Sequence, residues 1–131
     1  MPHVVAIPTV GPTLESATEV ALPHSPFLLL VDPESGSFEA HENPAWTAQS
    51  HRGVAVAKFL IERGVEVVLG HHMGPHPAAV LARRGVEVRE GRPGTTAAEL
   101  LSLYRQGELP VLGEAEIVAR HGPGHHLMRH P

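Results

Sequence analysis

Three histidines fall within six positions of one another, His71, His72 and His76, in the segment Gly70-His71-His72-Met73-Gly74-Pro75-His76-Pro77. Neutral imidazole is the commonest side-chain ligand of transition metals. The segment follows Gly64-Val65-Glu66-Val67-Val68-Leu69, whose apolar content reads as a buried strand. In open α/β sheets, ligands bind in the crevice beyond the carboxyl ends of the strands, so this placement points to a metal or a metal-containing cofactor. Neighbouring loop residues converge on one point only through a tight turn, and Gly70 and Gly74 supply backbone permissive enough to make one. Met73 reads as a core plug rather than a thioether ligand.

The remaining histidines divide into two groups. His3, His41 and His51 read as ordinary solvated side chains. His121, His125, His126 and His130 belong to a C-terminal stretch interrupted by Gly122-Pro123-Gly124, a pattern unlike a purification tag. That stretch is either plain solvated chain or a metal-collecting arm able to swing over the His71 crevice.

Composition narrows the chemistry. The chain has 131 residues, enough for one domain that buries roughly 65–70% of its unfolded surface. It has no cysteine, which excludes disulfides, thiolate zinc sites, cysteine-ligated iron–sulfur clusters and a thiol nucleophile. A metal held by this chain is therefore held by nitrogen or oxygen. The formal net charge is −4 and the ten cationic residues are dispersed, so no basic stripe for nucleic acid is present. No apolar run is long enough to span a bilayer, and Met1-Pro2-His3 leads directly into a strand without a signal-peptide pattern, so a cytoplasmic location is expected.

The elements that must position the histidines follow from periodicity. His3 to about Ile7 reads as strand one, stopped by the Pro8 to Pro12 region. Residues 11–25 show no sustained period. Phe27-Leu28-Leu29-Leu30-Val31 reads as a strand buried on both faces, and Phe38 to Glu42 alternates as an edge strand returning from the turn at Glu34-Ser35-Gly36-Ser37. Val56, Phe59 and Leu60 lie at helical spacing within a helix from about Gln49 to Arg63, capped by Gly64. Arg63-Gly64-Val65-Glu66-Val67 recurs as Arg84-Gly85-Val86-Glu87-Val88 twenty-one residues later, each copy joining a helix end to a strand start. Between the copies, Pro77 can open a short second helix over 78–84, giving a right-handed βαβ unit. Thr96-Ala97-Ala98-Glu99 is a capping box opening a third helix, closed by Gly107. Past Pro110 the periodicity fades, so residues 1–109 are expected to form a single α/β domain and 110–131 a flexible Gly/Pro/His-rich tail.

Taken in order, several short stretches resemble the dinitrogenase iron-molybdenum cofactor biosynthesis family, which includes nitrogenase accessory proteins and small stand-alone homologues. They are Ala6-Ile7-Pro8-Thr9, His24 before Phe27-Leu28-Leu29-Leu30-Val31-Asp32, and Glu42-Asn43-Pro44-Ala45, followed by Gly64-Val65-Glu66-Val67-Val68 leading to Gly70, Gly74-Pro75, and Gly85-Val86-Glu87-Val88. The resemblance covers about residues 3–109. It implies a ribonuclease H-like three-layer α/β/α fold with a mixed five-stranded sheet of order 3-2-1-4-5 and strand two antiparallel. It also implies binding of the iron-molybdenum cofactor, its precursors or another metal–sulfur cluster, with Gly70, Gly74 and Pro75 lining the cofactor. This chain departs from the family pattern in two places: only Ser25 and Pro26 separate His24 from strand two, and the loop after strand four is richer in histidine.

A nuclease reading of such a fold fails on composition, because two-metal phosphoryl transfer needs clustered carboxylates and the chain has a single aspartate, Asp32. No phosphate loop, nucleophile elbow or dinucleotide fingerprint is present. The expectation is a non-enzymatic binding or carrier protein for a transition metal or metal–sulfur cofactor of unspecified identity. His71, His72 and His76 would be inner ligands, with His24 and the tail residues His121, His125 and His126 as auxiliaries. Metallocofactor assembly proteins would be partners, and a homodimer pairing edge strands would fit. Two alternatives stand beside this. One is a regulatory or scaffold domain that binds a partner protein through Phe38 to Glu42 or Trp46, with incidental histidines. The other is a hydrolase with a histidine-bound metal and Glu90 or Glu42 as base.

Overall fold

The computed structural model describes residues 3–121. Alternation of apolar side chains along the strands decides the layering. In β1 (Val5–Thr9) and β2 (Phe27–Val31), Ala6, Leu28 and Leu30 face one way, while Val5, Ile7, Leu29 and Val31 face the other. Strands covered on both sides need apolar residues at every position, which is why these two read as continuous runs. β3 (Phe38–Glu42) is largely exposed and forms the edge.

The sheet order is β3-β2-β1-β4-β5-β6, with β4 Val67–Leu69, β5 Glu87–Arg89 and β6 Val111–Leu112. β1, β4 and β5 are parallel neighbours; β2 pairs antiparallel with β1, β3 with β2 and β6 with β5. Among the described residues, six strands replace the expected five.

Helices cover both faces. On one, α1 (Arg52–Glu62), α2 (Pro75–Arg83) and α4 (Glu114–His121) contribute Val56, Ala57, Leu60, Ala78, Leu81 and Ile117 to a core shared with Ala6, Val68 and Val88. On the other, α3 (Ala97–Arg105) packs Ala97, Leu100 and Leu101 onto Ile7, Leu29 and Leu69. The repeated helix–glycine–strand joint is built twice in the same way, with φ of 75° at Gly64 and 73° at Gly85. Only glycine takes that conformation without a steric penalty. The capping box is also formed: the Glu99 N–H donates to Thr96 Oγ1 at 3.1 Å and the Thr96 N–H donates to Glu99 Oε1 at 2.8 Å.

Two further expectations require correction. The folded region passes the expected limit at Leu109, because residues 111–121 form β6 and α4. These are anchored by Leu112 and Ile117, which are 6% and 2% exposed. A strand of two residues and a two-turn helix carry too few apolar side chains for a period to show. Helix α2 begins at Pro75, two residues before Pro77, with Gly74 as its N-cap. Residues 10–21, aperiodic in sequence, are stitched across the carboxyl ends of β1 and β4 by backbone bonds. Examples are Glu19 N–H to Pro8 O at 2.9 Å and His72 N–H to Val20 O at 2.9 Å.

Candidate functional site

The loop after β4 is shaped by the crossing segment rather than by a turn of its own. Gly70 is buried, and a Cβ there would lie 3.0 Å from Pro8 Cγ and 3.5 Å from Val20 O. Its lack of a side chain allows residues 8–20 to pass over it. Neither Gly70 nor Gly74 has a positive φ, so the tight turn needed to converge three imidazoles does not form. Instead His72 is extended. It pairs in parallel with Ala21, and its carbonyl accepts from Leu22 N–H at 3.0 Å. Extended backbone sends successive side chains to opposite sides, separating His71 from His72 in direction.

Met73 is fully buried in the core, as its reading as a plug implies. Gly74 and Pro75 start α2, and His76 is exposed in the first turn of that helix. His24 is exposed and ends a 3-10 turn at Leu22–His24. The Leu22–His72 bond lays that turn against the His72 backbone. His121 is the last described residue of α4; its side chain and the whole of His125, His126 and His130 lie outside the described residues. Among the described residues, no three or more His, Cys, Asp or Glu side chains are grouped to hold a metal ion. The expected His71/His72/His76 triad is therefore not assembled, because a bridge, a buried methionine and a helix start separate its members.

What does gather is a smaller set around His71. Its Nδ1 accepts from the Gly91 N–H at 3.1 Å. Gly91 is itself buried, and a Cβ there would meet Val20 Cγ1 at 3.2 Å and Leu69 O at 3.3 Å. Burial lowers the His71 pKa below its ordinary 6.5; the positive charge of Arg120 and, more weakly, His72 push the same way, while Glu90 opposes them. His71 is thus a neutral imidazole at neutral pH. Arg120 Nη1, on α4, donates to Glu90 Oε2 at 3.3 Å, just beyond β5. Arg120 escapes a reading of the sequence because it lies in a region without apolar periodicity. Glu90, named above only as a hydrolytic base, is engaged by that guanidinium.

Asn43 is a positioning residue with a sequence signal, the Asn-Pro pair at 43–44. It is buried, its Nδ2 donates to Leu22 O at 2.9 Å and to Ser25 Oγ at 3.0 Å, and its Oδ1 accepts from Ala45 N–H at 2.9 Å. It thereby fixes the His24 turn. Glu42 does not join the His71 group; it lines a separate cleft of about 460 Å³ with Pro26, Phe27, Pro44 and Trp46. His3 and His41 are not simply solvated. His3 bonds Glu66 and Tyr104, and the His41 ring stands edge-on to Phe59 with centroids 5.5 Å apart.

A mixed sheet flanked by helices, with a neutral, partly buried imidazole beyond its parallel strands, defines a small α/β domain with a candidate binding site at the strand ends. The chain belongs to the dinitrogenase iron-molybdenum cofactor family, whose model matches residues 1–107. It is similar to the apo form of the orange protein from Desulfovibrio gigas, with 21% identity, a TM-score of 0.79, and coverage of 86% of this chain and 94% of that one. It is also similar to a NifB-like protein of the DUF35 family from Thermotoga, with 30% identity, a TM-score of 0.72, and coverage of 86% and 94% respectively. No curated protein matches. Membership implies a carrier or accessory role related to the iron-molybdenum cofactor.

Proposed function

We propose that the chain binds or carries a transition metal or metal–sulfur cofactor, without transforming it, through the histidine-rich loop beyond β4. The observation that carries this reading is His71, a half-buried imidazole oriented by the Gly91 N–H beyond the carboxyl end of a parallel strand in a chain of this family. His72 and the His24 turn adjoin it, and His76 and the tail residues His121, His125 and His126 are auxiliary donors. The similarity to a protein known in an apo form adds support for a cofactor. A carrier is favoured over a metal hydrolase because Glu90, the carboxylate that acts on His71, is paired with Arg120 rather than free to act as a base. The strand order containing 3-2-1-4-5 supports a ribonuclease H-like class with one strand added at the β5 edge. Metallocofactor assembly proteins are the partners this role requires, and the cytoplasm is its setting. No helix among the described residues is long and apolar enough to cross a membrane.

The test is metal and inorganic-sulfide analysis of the full chain purified without chelator, beside a His71→Ala/His72→Ala variant. Stoichiometric metal lost in the variant is the expected result. Undiminished metal in the variant sinks the role of the loop. A second reading, a scaffold domain that docks a partner protein, draws on Trp46, which is 57% exposed beside the proline-lined cleft. A partner complex that survives both chelator and the double substitution would favour it.

A further inference from the structure

We infer that His71 meets the cofactor as a hydrogen-bond donor through Nε2–H, not as a metal ligand, and that Arg120 makes this site select an anionic metal–sulfur or metal–oxo species over a bare cation. The inference rests on the function proposed above and names the chemical class that the site takes.

One bond fixes the tautomer. A backbone N–H can only donate, so the 3.1 Å contact from Gly91 makes His71 Nδ1 the acceptor. A neutral imidazole has one N–H, which must then sit on Nε2. The lone pair that could bind a metal is at Nδ1, where Gly91 already uses it. Coordination through Nε2 would require the proton to move to Nδ1, setting two N–H groups against each other and leaving the buried Gly91 N–H without a partner. Gly91 has little room to turn aside, being packed against Val20, Leu69 and Gly70. Nε2–H, by contrast, has no hydrogen-bond partner among the described residues.

Arg120 supplies the charge. Its guanidinium is one of the groups that act on His71, it is 43% exposed, and it holds Glu90 by a single contact at 3.3 Å. Among the described residues, four of its five N–H donors are thus left for another acceptor, and the pair offsets the Glu90 charge beside the imidazole. α4, which carries Arg120, is seated by Ile117 and lies beyond the family match, which ends at residue 107. A bare cation would find no group of three ligands among the described residues. A preassembled anion brings its own sulfide or oxo ligands and needs donors instead.

The test uses full-length protein. Long-range 15N NMR of the imidazoles, with His71 assigned by its loss in His71→Gln, is expected to show the Nε2–H tautomer. Binding of tetrathiomolybdate, a simple molybdenum–sulfur anion, and of Zn2+ is then measured for wild type, His71→Gln, His71→Ala and Arg120→Gln. Tetrathiomolybdate affinity is expected to fall about tenfold or more in His71→Ala and Arg120→Gln, a charge-assisted hydrogen bond being worth about 1.5–3 kcal/mol. It should be largely kept in His71→Gln, whose amide N–H replaces Nε2–H. An Nδ1–H tautomer, equal loss in the Gln and Ala variants, or tight Zn2+ binding abolished by His71→Gln would each overturn the donor role while leaving a metal function standing. Failure of wild type to bind either probe would overturn both this inference and the proposed function.

Discussion

Two histidines, one at each end of the sheet, sit beside glutamates and do different work. His3 uses both ring nitrogens: Nδ1 meets Glu66 Oε1 at 2.6 Å and Nε2 meets the Tyr104 hydroxyl at 2.6 Å. Its ring stacks on Tyr104 with centroids 6.1 Å apart, and the Arg89 guanidinium lies 5.3 Å from the centroid of the Tyr104 ring. That end is a clasp joining the chain before β1 to the start of β4 and to α3. His71 spends one nitrogen on a backbone N–H and, among the described residues, keeps the other. The contrast separates an imidazole tied through both nitrogens to other elements from one oriented through a single nitrogen, the arrangement on which the proposed ligand contact rests.

Substitutions should separate the two ends. The largest effect is expected from Leu100→Ala, beneath the clasp: Leu100 is fully buried in the α3 core. The cavity should cost about 2–5 kcal/mol in a urea melt. Ile117→Ala is expected to act locally instead, raising amide exchange in α4 while leaving β1 protected, since one buried residue seats that helix. Uniform deprotection of both elements would show that α4 belongs to the main cooperative unit. Tyr104→Phe removes one hydrogen bond from the clasp and should lower stability by about 0.5–1.5 kcal/mol, with little change in tetrathiomolybdate binding.

The pH response should separate the two ends further. The His71 pKa in the folded chain lies below 6.5 because of burial first and Arg120 second, with His72 assisting and Glu90 opposing. The folded state therefore holds fewer protons than the unfolded state between the two values. Its contribution to stability is full above 6.5 and is lost as pH falls through the folded value. Urea melts at a series of pH values should show this fall in wild type and a shallower one in His71→Gln; identical slopes would remove His71 from the account. The smallest effect on stability belongs to Arg120→Gln. Its part-exposed ion pair with Glu90 should be worth about 0–1 kcal/mol, while NMR titration should show the His71 pKa rising toward its ordinary value.

Much of the fold is legible in the residues. Phe27–Val31 and Phe38–Glu42 fall on the observed strands because one is apolar throughout and the other alternates. The Gly64 and Gly85 joints and the Thr96 capping box are local chemistry, decided within a few residues. The site is less legible. His71 and His72 stand where the reading of the sequence puts them, beyond β4, but the glycines around them serve packing rather than a turn. His3, set aside as solvated, is bonded to residues 63 and 101 positions away, a pairing that no local pattern could reveal.

Residue type and short-range spacing are enough to set the main elements, the absence of thiol chemistry and the gathering of histidines at a strand end. Tertiary structure alone decided which histidine is oriented, by which nitrogen, and with which charge beside it. Those depend on Gly91 and Arg120, twenty and forty-nine residues beyond His71 in the chain, and on a segment before β2 that crosses the sheet end. Hydrogen-bond direction and charge proximity are properties of packed distance, which sequence spacing does not carry.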